Sequence, residues 1–529
     1  MGLFAWGCLA IGLQLELGEG HDNGLGSTPQ MGYNTWNDFE CHGVSAENIR
    51  KVADKMVTLG LPALGYEYLI IDDCWAKKRG EDGVLVPDPD AFPQGMKPVA
   101  DYVHESGLKF GIYTDRGTWT CAGRPGTWGY EVTDAQTFAS WDVDYVKTDS
   151  CNGPDSLDDR PSSAAIAQYK LFRDALNATG RPIFLALSGW HNWYSPFGKG
   201  LANSWRIGYD VRNWRSAWNY AIRVNAFLHD YAGPGGWNDP DMLVGSSDTA
   251  VRMTPEQSRT QFSLWSVMTA PLLLGSMLSM TDHDLETYTN REVIAVDQDP
   301  LGIQGQIVWE NCPLRNRTNI RQKQYYDEIP ACQQVWAKPI QDGFAVVLLN
   351  LENNSARVNF SISDVCWSST ELQPCDFFEE AAVRDLWSKE DLASQCCTDS
   401  KTYGCNNLLG FPFDGGTNGN RVVSSTLCPT LPGRLGPHEV YQCDACSRWR
   451  LQNVQGGPQG SKEAGGEAWA AGVQKATTIL VPTARGQRTS TADGCCAFPA
   501  ARAVATASGP DRQDLLEGIL ARPTRYGFW

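Results

Sequence analysis

The sequence predicts a (β/α)8 (TIM) barrel followed by an antiparallel β-sandwich. Between residues 32 and 275, eight short apolar runs alternate with amphipathic helical patterns, which is typical of a parallel barrel of about 250 residues. Charged side chains recur where these apolar runs end. After residue 302 the pattern changes to strand-type alternation, as in Gly343–Asn350, which indicates the second, antiparallel domain.

The barrel elements can be assigned in chain order. The candidate strands are Met31 to Trp36, Tyr66 to Asp73, Leu108 to Asp115, Val143 to Asp149, Pro182 to Ser188, Trp205 to Asp210, Gly236 to Met242, and Leu272 to Gly275. Candidate helices between them are Ala46 to Leu59, Met96 to Ser106, Ala164 to Ala178 and Pro255 to Met268. The last helix has Thr254 at its N-cap and Pro255 at its first position, both favourable residues there.

Polar residues gather at one end of these predicted strands. They are Trp36, Asp72, Asp73, Asp115, Asp149, Arg206, Asp210, Asp239 and Asp241. Because a barrel builds its active site at the C-terminal ends of its strands, we expect these side chains to surround a single site.

Composition restricts the classes of partner. The net charge of −17 argues against nucleic acid and anionic membranes, both of which attract basic surfaces, and favours a neutral substrate. No apolar run reaches the ~20 residues that span a bilayer. The 17 cysteines form no paired C-x-x-C zinc pattern, so they predict disulfides in an oxidising compartment. We expect no cofactor. The sequence leaves the oligomeric state open.

The whole chain divides into four parts. We interpret residues 1–20 as a signal peptide, 21–302 as the barrel, 303–446 as the β-sandwich, and 447–529 as a low-complexity, disordered tail or an artefact of the reading frame. Residues 366–428 contain six cysteines and read as a disulfide-stapled insertion in the sandwich. Four sequons, at Asn177, Asn316, Asn353 and Asn359, agree with a secreted glycoprotein.

The segment from Val143 to Cys151 contains a catalytic candidate. In a strand, Lys147 and Asp149 point to the same face, and an adjacent ammonium favours the ionised carboxylate that a nucleophile requires. The alternative is a structural ion pair at the end of a strand.

A second carboxylate follows the predicted sixth strand. A retaining glycosidase needs two carboxyl groups about 5 to 5.5 Å apart, one as nucleophile and one as acid and then base. Asp210 is the candidate for the acid, and we expect a less polar environment to hold its proton. Alternatively, Asp210 is a helix N-cap.

The adjacent pair Asp72 and Asp73 follows a strongly apolar run. At a barrel rim both carboxylates can accept hydrogen bonds from sugar hydroxyls, although a solvated turn explains them equally well. Trp36 can form the floor under a sugar ring, or simply belong to the core. Cys41, Cys74, Cys121 and Cys151 lie just beyond these polar ends, but spacing alone does not determine how they pair.

Six motifs in order resemble the α-galactosidases (melibiases) of glycoside hydrolase family 27. They are Met31-Gly-Tyr-Asn-Thr-Trp36, Asp72-Asp-Cys-Trp75, Gly111-Ile-Tyr-Thr-Asp115, Tyr145-Val-Lys-Thr-Asp-Ser-Cys151, Gly235-Gly-Trp-Asn-Asp-Pro-Asp-Met242 and Asp297-Gln-Asp-Pro-Leu-Gly302. The resemblance extends from about residue 24 to 443. It implies a barrel, a β-sandwich and hydrolysis of terminal α-galactose with retained configuration.

The resemblance also implies roles for individual residues. Asp149 would be the nucleophile and Asp210 the general acid/base. Asp72 and Asp73 would bind the axial O4 and the O6 hydroxyl of galactose. The other pocket residues would be Trp36, Tyr113, Cys121, Lys147 and Arg206. The implied disulfides are Cys41 to Cys74 and Cys121 to Cys151, and no metal is implied.

One departure from the family pattern concerns specificity. After the fifth strand many members read Cys-Glu-Trp, whereas this chain reads Leu187-Ser188-Gly189-Trp190, and Ala202 and Asn203 stand near the place of the partner cysteine. A small residue such as Ser188 facing C2 of the sugar leaves room for an N-acetyl group. We therefore predict an α-galactosidase, with an α-N-acetylgalactosaminidase of the same mechanism or an inactive galactose-binding protein as alternatives.

Overall fold

A computed structural model describes residues 22–155, 161–247, 253–312, 329–341, 343–352, 357–360, 380–396, 409–412 and 420–427. The predicted signal peptide, Asn316, Asn353 and the predicted tail 447–529 lie outside these ranges. Asn177 is exposed near the end of a helix, and Asn359 lies in a strand. Within the described ranges, no helix is both long and apolar enough to cross a membrane.

Eight parallel strands form the predicted barrel. They are β1 (Met31–Asn34), β2 (Tyr68–Ile70), β3 (Lys109–Asp115), β4 (Tyr145–Asp149), β5 (Phe184–Ser188), β6 (Ser204–Arg206), β7 (Trp237–Asp239) and β8 (Leu272–Leu274). Their order is β8-β1-β2-β3-β4-β5-β6-β7, and a parallel bridge from Leu243 to Leu274 joins β7 to β8. The first seven strands follow one another without a break in sheet order, as the alternating pattern predicts.

Strand ends differ from prediction where the chain turns into a loop. The predicted sixth strand reached Asp210, but β6 ends at Arg206. The chain then turns at Gly208, where an added Cβ would lie 2.0 Å from the carbonyl oxygen of Tyr220. Asp210 therefore lies on a loop beyond the strand, and the close approach of the two backbones requires glycine at this turn.

Helices surround the barrel between the strands. They are α1 (Trp36–Phe39), α2 (Ala46–Thr58), α3 (Lys97–Glu105), α4 (Glu131–Ser140), α5 (Ser163–Ala178), α6 (Ser195–Leu201), α7 (Trp214–Ser216), α8 (Arg223–Asn225), α9 (Pro255–Val267), α10 (Asp282–Tyr288) and α11 (Arg291–Asp297). A hairpin of Ala76–Arg79 and Leu85–Pro87 precedes α3. The predicted cap of α9 is confirmed, because Thr254 accepts a hydrogen bond from the amide of Gln257 in a capping box.

The second domain consists of antiparallel strands. They are β9 (Gln306–Glu310), β10 (Gln333–Ile340), β11 (Gly343–Asn350), β12 (Arg357–Phe360), β13 (Glu380–Asp385), β14 (Glu390–Cys396), β15 (Leu409–Pro412) and β16 (Asn420–Leu427). Six pair in the order β9-β10-β11-β16-β13-β14, and β12 pairs with β15. Residues 366–428, interpreted from sequence as an insertion, thus supply three strands of the main sheet. The interpretation rested on cysteine density and overlooked these strand patterns.

A buried lysine connects the two domains. Lys338 of β10 is fully buried and donates hydrogen bonds to Thr269 Oγ1 (2.6 Å) and to the carbonyl oxygen of Val296 (2.7 Å). Burial lowers the pKa of Lys338 to about 8, although nearby Asp297 opposes this shift. A more exposed contact lies beside it, where Arg384 binds Glu292 with two bonds of 2.8 Å.

We expect Lys338→Met to lower the free energy of unfolding by about 3 kcal/mol, because it leaves two buried acceptors, Thr269 Oγ1 and the carbonyl oxygen of Val296, without their donor. Denaturant titration measures this change. The matched control is Arg384→Met, which breaks the partly exposed pair and should cost less than about 1 kcal/mol. Equal losses in the two variants would contradict the structural role of Lys338.

Candidate active site

The C-terminal ends of the barrel strands surround a cavity of about 550 Å³. All ten site residues predicted from sequence line it: Trp36, Asp72, Asp73, Tyr113, Cys121, Lys147, Asp149, Ser188, Arg206 and Asp210. Four further lining residues were not predicted from the sequence: Asn37, Val211, Arg212 and Met242. Asp241, predicted as a polar strand end, also lines the cavity, whereas Asp115 and Asp239 from the same set are not among its lining residues. The barrel therefore brings together side chains from four strands, β3 to β6, and from the segments that follow β1, β2, β3, β6 and β7.

Strand register places the central carboxylate. Asp149 pairs with Asp115 on one side and with Ser188 on the other, so three polar side chains lie level at the same edge. Asp149 is only 8% exposed. Its Oδ2 accepts a hydrogen bond from the Tyr113 hydroxyl (3.0 Å), and its Oδ1 accepts one from the amide of Ser150 (2.9 Å). These two donors hold the carboxylate in a fixed orientation.

Lys147 makes its direct ion pair with Asp72. Its Nζ lies 2.8 Å from Asp72 Oδ2, and the Asn34 amide donates to the same oxygen (2.7 Å). To reach Asp72, the lysine crosses β3 above the ring of Tyr113, with 5.4 Å between Nζ and the ring centroid. The sequence hypothesis placed the ammonium next to Asp149; the structure leaves Asp149 within its electrostatic field but gives the hydrogen bond to Asp72.

Asp73 is held by backbone amides. Cys74 donates to Oδ1 (2.6 Å) and Ala122 to Oδ2 (2.9 Å). Asp72 and Asp73 are both buried, so the solvated-turn alternative is wrong. The bend that directs both carboxylates into the cavity follows at Cys74, which has a φ of 77°.

Disulfides anchor the loops around the cavity. Cys41 is bonded to Cys74 and Cys121 to Cys151, as the resemblance implied. A third bond, between Cys312 and Cys332, was not anticipated; it lies in the second domain. The first two bonds each fix a segment adjacent to a pocket aspartate.

Asp210 lies at the exposed side of the cavity between two arginines. Arg206 Nη2 lies 3.2 Å from its Oδ1, and Arg212 Nη2 lies 3.4 Å from its Oδ2. The other end of the Arg206 guanidinium binds Asp241 Oδ1 at 3.0 Å. Asp241, which follows β7, was recognised as a polar strand end but not chosen as a site residue. Its pairing with Arg206 depends on neighbouring strands and has no signal in the local sequence.

The protonation states differ from the sequence expectation. Burial raises the pKa of Asp149 to about 8; Lys147 opposes this shift, and Asp115 adds to it. Burial also raises the pKa of Asp210, but Arg206 and Lys147 outweigh burial and lower the pKa below its usual range. The substrate-free pocket therefore holds a proton on Asp149 more tightly than on Asp210. The expectation that Asp210 occupies the less polar position is wrong for this state, because its side chain is 59% exposed beside two cations.

In the segment Leu187-Ser188-Gly189-Trp190, which departs from the family pattern, Ser188 is the residue that lines the cavity. Gly189 is directed elsewhere, since a Cβ there would lie 2.3 Å from the ring of Tyr194. Asn203, near the place of the absent cysteine, accepts a hydrogen bond from the amide of Leu185 (3.0 Å). The Asn203 side chain thus connects β5 to the segment before β6 at this point.

In the described part of the chain, one group of side chains has donor atoms close enough together for a metal ion: Asp115, Cys121, Asp149 and Cys151. The two sulfur atoms are bonded to each other. The Asp115 oxygens already accept hydrogen bonds from the amides of Gly117 (2.6 Å) and Cys151 (2.7 Å). The carboxylates already accept hydrogen bonds from backbone amides and the two sulfur atoms form a disulfide, so this group does not suit a metal ion.

Comparison with known proteins identifies the family. A family model described as Alpha galactosidase A matches residues 28–299, about half of the chain. This chain belongs to that family. A second model, the alpha galactosidase C-terminal beta sandwich domain, matches residues 331–405.

Individual relatives agree with this membership. A probable alpha-galactosidase from Dictyostelium discoideum is 39% identical over 77% of this chain and 94% of its own length. The alpha-galactosidase of Cyamopsis tetragonoloba is 42% identical over 74% of this chain and 88% of its own. Among solved structures, alpha-galactosidase I from Mortierella vinacea has a TM-score of 0.64 and 31% identity, covering 76% of this chain and 98% of its own.

The raised pKa of Asp149 predicts a pH-dependent change in stability. The folded state binds this proton more tightly than the unfolded state, so ionisation of Asp149 destabilises the wild type as the pH rises from about 4 to 8. Asp149→Asn cannot ionise, and we expect it to be more stable than the wild type by about 2 kcal/mol near pH 7.5, with no difference near pH 4. Unfolding titrations at the two pH values measure the difference.

Asp210→Asn is the matched control. The pKa of Asp210 is lowered, so its ionised form stabilises the fold above pH 4, and the asparagine should slightly destabilise the protein at pH 7.5. Stabilisation by both substitutions would contradict the assigned difference between the two carboxyls.

Proposed function

We propose that this chain is a retaining α-galactosidase that removes terminal α-linked galactose, with Asp149 as nucleophile and Asp210 as general acid and base. The observation that carries the proposal is the cavity itself, where both carboxyls meet the acceptor pair Asp72 and Asp73. The cavity opens to solvent beside Asp210, whose side chain is 59% exposed, so a terminal sugar ring can enter while the remainder of a glycan stays outside. An enzyme that removes single terminal residues needs a pocket of this kind.

The reaction proceeds in two displacements. In the first, Asp149 attacks the anomeric carbon, the bond from that carbon to the glycosidic oxygen breaks, and Asp210 gives its proton to the leaving oxygen. In the second, Asp210 takes a proton from water, the water oxygen attacks the anomeric carbon, and the bond to Asp149 breaks. Two inversions leave the configuration unchanged.

Substrate binding must move a proton from Asp149 to Asp210. In the empty pocket, water at the mouth and the two arginines favour ionised Asp210. A bound galactoside covers this opening, removes water from around Asp210 and brings the glycosidic oxygen next to it, which raises the pKa of this carboxyl. The field of Lys147 and the Tyr113 hydroxyl then stabilise the carboxylate form of Asp149.

Fixed acceptors account for sugar selectivity. Both Asp72 and Asp73 are held by neighbouring donors, so their remaining lone pairs have defined directions. A carboxylate that is positioned to accept a hydrogen bond from one hydroxyl discriminates strongly against a sugar that lacks this hydroxyl. The buried carboxylate would then be left without its hydrogen-bond donor. Secretion through the signal peptide belongs to the same proposal, and three disulfides in the described residues support it.

Substitution of the nucleophile tests the mechanism. Asp149→Ala should lower kcat by at least about 10³-fold, and added azide should restore turnover of an activated aryl α-galactoside and yield β-galactosyl azide. Product analysis by NMR identifies the azide. Asp210→Ala serves as control, since it should form the galactosyl intermediate readily from good leaving groups and slowly from poor ones. Near-normal activity of Asp149→Ala would exclude it as the nucleophile.

Parallel assays test the sugar. We expect the wild-type protein to hydrolyse p-nitrophenyl α-galactoside with a higher kcat/KM than p-nitrophenyl α-N-acetylgalactosaminide. The competing α-N-acetylgalactosaminidase is favoured by one observation, the short side chain of Ser188 at the cavity wall. Dominant hydrolysis of the N-acetyl substrate would establish that alternative, and binding of galactose without turnover of either substrate would establish an inactive binding protein.

A further inference from the structure

Two tryptophans on the loop between β3 and α4 expose about half of their surface. Trp119 is 52% exposed and Trp128 is 47% exposed. Among the described residues, no other tryptophan belongs to the large apolar side chains that are exposed. Burial of an indole stabilises a protein considerably. Two solvent-exposed indoles on one loop therefore indicate a ligand-binding surface.

The loop that carries them is rigid. Thr120 N donates to Arg124 O (2.7 Å), and Trp128 N donates to Gly117 O (3.2 Å). The Asn152 side chain donates to Trp119 O (3.1 Å), and the Cys121–Cys151 disulfide fixes the loop to the end of β4. A ligand that binds here therefore meets a prepared surface and orders little additional backbone.

The loop lies at the mouth of the cavity. Cys121 lines the cavity, and Trp119 is two residues away, which places their Cα atoms within about 7 Å. Trp128 is hydrogen-bonded to Gly117, two residues on the other side of Trp119. The backbone segments that carry both indoles therefore lie close to the rim of the cavity.

We propose that Trp119 and Trp128 bind the sugar units that follow the terminal galactose in an oligosaccharide or polysaccharide. This inference rests on the proposed α-galactosidase function. When the terminal galactose occupies the cavity, the rings that follow it lie across the cavity's rim. The C–H face of a pyranose packs on the flat apolar face of an indole, while the indole N–H donates to hydroxyls. The net charge of −17 agrees with an uncharged glycan.

The neighbouring Tyr130 differs from the two tryptophans, because its ring packs against another side chain of the protein. Its ring is also exposed, but the guanidinium of Arg79 covers one face at 3.9 Å from the centroid. Arg79 is in turn bonded to Asp134 at 2.7 Å. Tyr130 therefore belongs to a structural contact, and the proposal is confined to the two tryptophans.

The test compares two substrates on the full-length protein. Trp119→Ala, Trp128→Ala and the double variant are assayed on α-galactosyl fluoride, which has no sugar beyond galactose, and on a galactosylated mannan oligosaccharide. We expect kcat/KM for the fluoride to stay within about twofold of the wild type. For the oligosaccharide, kcat/KM should fall about tenfold in the double variant, mainly through KM.

Phe227→Ala is the matched control. Phe227 is 42% exposed and lies in the segment between α8 and the start of β7, away from the strand ends that form the site. It should leave both substrates unchanged. Trp119→Phe keeps an aromatic face and should retain most of the oligosaccharide activity.

Calorimetric titration adds a readout independent of turnover. The galactosylated oligosaccharide is titrated into Asp149→Asn with and without the two tryptophan substitutions, and the Kd should rise about tenfold in the triple variant. Two outcomes would overturn the proposal. One is equal losses of kcat/KM on both substrates, and the other is unchanged kcat/KM and Kd for the oligosaccharide. The second outcome would assign the indoles to a different partner, such as a protein. Failure of the proposed function has a separate signature, because the wild type would then leave α-galactosyl fluoride intact.

Discussion

Parallel pairing of β3, β4 and β5 sets Asp115, Asp149 and Ser188 level at one edge of the barrel, and the geometry of the site follows from this register. A shift by one residue in any of these strands would turn the carboxylates into the barrel wall, where burial without a partner is costly. The register is maintained by apolar side chains on both faces of the strands. The chemistry of the pocket thus depends on packing below it.

Placing many carboxylates in one cavity has an electrostatic cost. Lys147 offsets part of it by bridging to Asp72, and Arg206 offsets another part by binding Asp210 and Asp241. The balance remains unfavourable at Asp149, whose raised pKa reports both its burial and the nearby Asp115. In the proposed mechanism, the positive charge that develops on the sugar in the transition state would stabilise this carboxylate.

Rigid loops extend the site beyond the galactose pocket. Disulfides attach the loops after β2 and β3 close to pocket aspartates, so the rim keeps its shape when the pocket is empty. The second domain supports the barrel from another side through Lys338, which is buried against Thr269 and Val296.

The sequence by itself determined the eight barrel strands, the cap of α9, and the position of Asp149 at a strand end, because periodicity and turn chemistry are properties of neighbouring residues. Asp210 was also predicted at a strand end, but it lies on the loop after β6. Only the tertiary structure decided that Lys147 bonds to Asp72, that Asp241 joins Arg206, and that residues 366–428 contribute strands to the main sheet. It also decided which carboxyl holds the proton. These outcomes depend on contacts between side chains that are far apart in sequence, and on how deeply each side chain is buried. A local sequence pattern encodes neither of them.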